Sequence, residues 1–260
     1  MKGRPAAARR GVSAVGLLDL PAPVFAWTDS VLFGALAPLA RLVLWAFFIS
    51  ALSIALYALL SPQTELKRVK AELREARRLL SAHDGDFDGV KALAGRTIGL
   101  SLKHLRLVAP AALMACIPVV MLIVWLAKAY GPAATESGLP LRLEVTGGEA
   151  DLRIVSPAPD SGVPATGALL AVFDPDGALI AQAPLSPAVT RLEKRRWWHW
   201  LSGSVAGYLP PDAPVDAVRV HWPRYETHDF GPAWLRFWET PFLAFAVIFT
   251  LGVQRAFRIE

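Results

Sequence analysis

The chain has 260 residues, 54% of them hydrophobic, and a single cysteine, Cys116, so no disulfide framework can form within it. Twenty-seven Lys and Arg against 22 Asp and Glu leave a formal charge of +5. Such a surplus can mark a nucleic-acid binder, but its uneven distribution argues against specific DNA and for a membrane.

Residues 1–30 carry Lys2, Arg4, Arg9 and Arg10, and the stretch after them is broken by Asp19, Pro21 and Pro23. That makes a poor signal-peptide core and reads instead as an interfacial or loosely ordered tail. The first apolar span, residues 31–60, follows. From Leu42 to Leu60 its one ionisable group is the Tyr57 phenol. Those residues cover about 28 Å at ~1.5 Å each, close to the ~30 Å hydrocarbon core of a bilayer.

Residues 61–107 read as a helical hairpin. Ser61 can cap its first helix, with Pro62 at the first helical position. Leu66, Val69, Leu73, Ala76 and Leu80 recur at alternating spacings of three and four, a heptad seam. Lys67, Arg68, Lys70, Arg74, Arg77 and Arg78 fill the other faces with Glu72 and Glu75. The second helix runs from Phe87 to Leu107, with Val90, Leu93, Ile98, Leu102 and Leu105 as its apolar positions, and pairs antiparallel with the first. The turn Asp84-Gly85-Asp86-Phe87-Asp88-Gly89 begins like a calcium loop, but its twelfth position is Gly95 rather than glutamate and Lys91 stands at the eighth. Turn chemistry explains those residues without a metal.

The second span, residues 108–129, contains Pro110 and Pro118, which membrane helices tolerate when neighbours satisfy the freed carbonyls. Residues 135–230 change character. Leu141–Val145 and Asp151–Val155 alternate apolar and polar. Ala168–Phe173 and Ala178–Ala183 flank the turn Asp174-Pro175-Asp176-Gly177, and Val218–Trp222 is a further strand. Five to seven strands here suggest a small antiparallel β-sandwich, held by its own core. Within it, Lys194 to Leu201 joins basic residues to Trp197, Trp198 and Trp200. This composition suits a membrane surface with anionic headgroups, a sugar or a protein partner, or else the domain's own core. A third, shorter span covers residues 236–254, with Trp234 and Trp238 at its outer interface.

Ten Lys and Arg face six Asp and Glu between Ser61 and Leu107, whereas eight face twelve between Gly131 and Leu235. The positive-inside rule then places the hairpin in the cytoplasm and the strand-rich segment outside, with the chain N-out and C-in. The expected location is the bacterial inner (plasma) membrane. The expected fold class is an α-helical membrane protein of three transmembrane helices with a cytoplasmic antiparallel hairpin, plus an extracytoplasmic β domain.

This order, with Glu65–Leu80 (ELKRVKAELREARRLL), Ser101–Leu126 (SLKHLRLVAPAALMACIPVVMLIVWL) and Arg41 in the first span, resembles the YidC/Oxa/Alb insertase superfamily, above all its three-span branch of archaeal homologues and endoplasmic-reticulum relatives. The segments cover less than half of the chain, and the large insertion between the second and third spans departs from the family pattern. The resemblance implies a polar groove open to cytoplasm and lipid, in which a client's hydrophilic segment rests while its apolar helix enters the bilayer. It also implies a positive residue in that groove. Arg41 is the matching candidate; it equally fits a residue snorkelling to the outer interface.

The histidines, His83, His104, His199, His221 and His228, form no metal-ligand spacing and join no nucleophile motif, although His221 and His228 flank Pro223 and could meet in space. No phosphate-cradling glycine loop is present. The chain therefore reads as a non-enzyme without cofactor. The expected function is insertase-like or chaperone-like, with Arg41, Ser50, Ser53 and Thr250 lining the groove. The basic hairpin would meet nascent membrane-protein clients and the ribosome. The alternative is a membrane-anchored sensor or binding module whose β domain recognises an envelope ligand or partner.

Overall fold

The computed structural model describes residues 15–82, 87–135, 140, 142–156 and 168–257. The chain divides into two compact units. One comprises Leu36–Val120 and Glu239–Glu260, the other Met1–Ala35 and Met121–Trp238.

The first of these is helical. Helix α2 (Pro38–Leu60) begins after an extended Ala37, with Pro38 in its first turn, and ends at an extended Ser61 that precedes Pro62. The expected span therefore starts seven residues later than Val31. Helix α3 (Gln63–Ala82) buries Leu66, Val69, Leu73 and Ala76, the expected seam, and leaves Leu80 half-buried. Helix α4 (Phe87–Ala129) runs unbroken through both the second hairpin helix and the second span. Nothing between Leu105 and Val108 stops a helix, and Pro110 and Pro118 are carried inside it. Helices α2 and α4 are long and apolar enough to cross a membrane. Helix α6 (Glu239–Phe257) covers the third apolar stretch and packs along α2.

A half-exposed Glu65–Lys103 ion pair at 3.5 Å brings the start of α3 beside α4, as an antiparallel arrangement requires. The expected pairing face of α4 is corrected, however. Ile98, Leu102 and Leu105 are exposed, and the shielded side carries Leu93, Thr97, Leu100, Ser101 and His104. Polar residues can turn inward because Thr97 and Ser101 donate their hydroxyls to the carbonyls of Leu93 and Thr97, each at 2.9 Å.

The other unit holds two small three-stranded antiparallel sheets, ordered β1-β6-β5 and β2-β3-β4. Strands β1 (Arg142–Thr146), β2 (Asp151–Val155) and β6 (Ala217–His221) fall where alternation places them, β3 (Ala168–Phe173) and β4 (Leu179–Leu185) flank the expected turn, and β5 (Arg191–Glu193) is additional. Leu141 lies outside the described residues, as does the start of the Asp84–Gly89 turn. Both sheets feed one core, with Leu170 and Val172 from β3, Ala183 from β4, Leu192 from β5 and Val218 from β6. Trp222 closes it, donating its indole N–H to the Val189 carbonyl at 2.9 Å. The β3–β4 turn is held by Asp174, whose Oδ1 accepts the Ala178 N–H at 2.7 Å, and by Gly177 at φ 81.

Residues 15–32 are not a loose tail. They form a turn at Leu17–Asp19, helix α1 (Ala22–Trp27) and a wider turn at Thr28–Leu32. The Leu18 N–H donates to the Leu201 carbonyl at 2.9 Å, and a Cβ on Gly16 would collide with the Ser202–Gly203 backbone. Helix α5 (Ala233–Arg236) completes this unit.

Candidate functional site

Three of the four residues expected to line a polar groove make hydrogen bonds to backbone carbonyls. Arg41 stands in the first turn of α2, half-buried, and donates from Nε to the Leu36 carbonyl at 2.9 Å. That is a boundary position, one turn from the start of the helix. Ser50 Oγ donates to the Ala246 carbonyl of α6 at 3.1 Å, and Ser53 Oγ to the Ala115 carbonyl of α4 at 3.0 Å. Buried Ala111 and Ala115 allow the close approach of α4. These hydroxyls tie α2 to α6 and α4. Thr250 is half-buried on α6.

The basic hairpin residues lie outside the seam, as the heptad requires. Lys67, Arg68, Arg74, Arg77 and Arg78 are exposed, and Lys70 is half-buried. Arg68 pairs with Glu72 at 2.9 Å and Arg78 with Glu75 at 3.0 Å. Pairs this exposed contribute little to stability and leave the face cationic.

The structure adds a second surface on the hairpin. Phe87, Ile98, Leu102 and Leu105 are all more than half exposed. At ~100° per residue they fall within ~60° of one another on α4. The same row continues through Leu113, Cys116 and Val120, all exposed, in the apolar half of the helix. Lys91 interrupts this stripe and Arg106 borders it.

Among the five tryptophans expected at a membrane interface, Trp197, Trp198, Trp200 and Trp234 are exposed, but Trp238 is buried. The first three sit on a short turn, Trp197–Trp200, which also turns His199 inward. Arg196 lies over the Trp198 ring, 5.1 Å from its centroid.

Behind that turn is a cavity of about 260 Å³. Its walls include Lys128, Thr190, Trp198, His199, Ser202 and Tyr208. The Arg196 N–H donates to His199 Nδ1 at 2.9 Å, which leaves Nε2 as the protonated nitrogen, donating to Glu193 Oε1 at 3.0 Å. Arg191 pairs with the other Glu193 oxygen at 2.6 Å. Tyr208 stacks on His199 with ring centroids 4.7 Å apart. Its buried hydroxyl has no hydrogen-bond partner among the described residues, although the Ser204 backbone lies near enough to oppose the rise of its pKa. Burial pushes the phenol above its ordinary pKa, and Arg195 opposes that rise. Lys128, in the last turn of α4, reaches Asp19 Oδ1 at 2.6 Å. Asp19 Oδ2 in turn accepts the Gly203 N–H at 2.8 Å. Only the tryptophan cluster of this site was legible in the sequence. Lys128, Glu193 and Tyr208 share no spacing that marks them.

His221 and His228 do not meet in a site: the first faces Glu144 at 3.1 Å and the second the Leu235 carbonyl at 3.1 Å. Comparison with protein-family models, curated proteins and solved structures returns no match.

Proposed function

We propose that this chain is an integral membrane protein that assists client helices into the bilayer, as an insertase or membrane chaperone, with α2, α4 and α6 as its spans. Membrane residence is supported by how little of the two long helices is shielded. Only 33% of the apolar window of α2 and 17% of that of α4 are buried, whereas a core helix in a soluble protein is mostly buried. The hairpin is cytoplasmic by its charge, and the β domain extracytoplasmic.

The observation that carries the function is the exposed stripe on α4. A cytoplasmic hairpin that is basic on one face and apolar on another can hold both parts of a client, its acidic flank and its apolar helix. The stripe shares its face with the apolar half of α4, so a client released from it moves along one continuous apolar row toward lipid. No nucleotide is needed, because burial of the client helix drives the step. Arg41, Ser50 and Ser53 take structural roles in this scheme, and the polar path is assigned to the hairpin surface instead. Reconstitution tests it. Vesicles containing the full chain should insert a single-span client with a short acidic tail severalfold faster than empty vesicles, read by protease protection. Equal rates would refute the proposal.

The cavity behind the tryptophan turn favours a second reading, a membrane-anchored module whose β domain binds a ligand. The two are separable, since a client competes for the hairpin and a ligand for the cavity.

A further inference from the structure

We infer that the cavity walled by Lys128, His199 and Tyr208 binds a phosphate-ester anion, presented by the headgroup of an acidic phospholipid. This rests on the second reading, that the β domain binds a ligand, and on α4 ending at the membrane surface; it does not depend on client insertion.

Four features point to that ligand. The Tyr208 hydroxyl is buried and lacks an acceptor, so its O–H is a donor already stripped of water, and an anionic oxygen would complete it. Lys128 extends into the same cavity from the last turn of the second apolar helix, a place where lipid headgroups lie. Its ammonium has three N–H groups and one carboxylate partner, Asp19, with a long contact of 3.5 Å to the Gly203 carbonyl. Two carboxylates stand at the cavity: Asp19 pairs with Lys128, and Glu193, itself a wall residue, pairs with Arg191 and His199, although its buried Oε2 has no hydrogen-bond partner among the described residues. They balance Lys128 and Arg191, while Arg195 and Arg196 on the adjoining turn are exposed and add net positive charge.

The rim fits a lipid better than a free anion. Exposed Val205 lines the cavity, and exposed Trp197, Trp200 and Leu201 are chain neighbours of its wall residues Trp198, His199 and Ser202. Aromatic rings with arginines next to them are the pattern of an interface that meets glycerol backbones and acyl chains on one side and phosphates on the other. A soluble phosphate ester would use the cavity and leave that apolar rim uncovered.

The test uses the full chain in detergent micelles, with short-chain phosphatidylglycerol, short-chain phosphatidylcholine and glycerol 3-phosphate as probes. Binding is read by native mass spectrometry and by the shift in thermal midpoint. Phosphatidylglycerol should bind at least tenfold tighter than phosphatidylcholine. Tyr208→Phe, which removes one oxygen, should weaken it about tenfold, the size expected for one hydrogen bond to a charged acceptor. Arg195→Gln with Arg196→Gln should reduce the preference for the acidic lipid. Glycerol 3-phosphate binding as well as the lipid would keep the anion site but overturn the lipid as its source. Equal binding of the two lipids would overturn the acidic lipid as its source, and wild-type affinity in Tyr208→Phe would overturn the site itself. Because no client is present, either failure leaves the insertion proposal standing on its own assay.

Discussion

Replacing Ile98, Leu102 and Leu105 together by Gln separates a receiving surface from a structural one. The three side chains are 61%, 53% and 59% exposed, so they contribute little to the hairpin itself. Polar substitution at such positions changes stability by within ~0.5 kcal/mol each. Docked against a client helix, each would still have more than half its surface to bury. Full burial of an aliphatic side chain stabilises by ~1.5–3 kcal/mol, so the exposed fractions offer roughly 1–1.5 kcal/mol apiece and ~3–4 kcal/mol in all. Ordering of the interface consumes on the order of half of that. The net, ~1.5–2 kcal/mol, corresponds to about 10- to 30-fold in client capture. The assay is cross-linking from a photoreactive residue at position 87 to a ribosome-bound membrane client, with thermal unfolding of the purified variant as control. The expected outcome is a large loss of cross-link with an unchanged midpoint. Leu66→Ala, in the seam and 1% exposed, should behave oppositely, costing ~2–5 kcal/mol of hairpin stability. Undiminished cross-linking in the triple variant would refute the reasoning, as would destabilisation matching that of Leu66→Ala.

Three further outcomes are expected. Gly95 and Gly99 lie within α4 with open space where a Cβ would stand, so Gly99→Ala should raise the thermal stability of the hairpin by ~0.5–1 kcal/mol in a melting curve, as an exposed helical glycine allows. Trp222→Phe keeps an aromatic ring but orphans the buried Val189 carbonyl, and denaturant titration should show a loss of ~1–3 kcal/mol from the β domain. The Tyr208 phenol, raised by burial above its unfolded value of 10.0, keeps its proton in the folded chain where the unfolded chain has lost it. Its contribution is therefore fully present below pH 10.0 and is lost as pH rises from there through the raised folded value. An ultraviolet titration should show a late-ionising tyrosine that Tyr208→Phe removes.

The parts legible in the sequence are those where one physical signal acts alone. Period-two alternation places β1, β2 and β6, and Asp174 with Gly177 announces the hairpin between β3 and β4. Strand β5 escaped because Arg191-Leu192-Glu193 offers one apolar residue between two charges, and its pairing with β6 is a tertiary fact. In α3 the apolar residues form one row, and that row is the seam. In α4 they form two, and hydrophobicity favoured the wrong one. The row containing Thr97, Ser101 and His104 is shielded instead, because its hydroxyls are satisfied within the helix. The serines of α2 show a related effect: a polar residue in an apolar span signals a need for an acceptor, and a carbonyl on the next helix meets that need. The cavity was not legible, since strand, turn and helix end bring Lys128, His199 and Tyr208 together across 80 residues of chain.

The face reversal in α4 bears on function because it runs against the usual direction of burial. Turning Leu93, Thr97 and Leu100 inward while leaving Ile98, Leu102 and Leu105 outward gives up apolar burial that the opposite rotation of the helix would have gained. Such an arrangement persists when the outward row has an apolar partner of its own, and contiguous exposed patches of this kind mark interaction surfaces. Lipid alone does not supply that partner along the whole row, because Lys91 interrupts it and Arg106 borders it. A partner that alternates charge with hydrophobicity does: an apolar helix with acidic flanks can bury against Ile98 and Leu105 while its carboxylates meet the two cations. On the proposed function, that partner is a membrane segment not yet in its membrane.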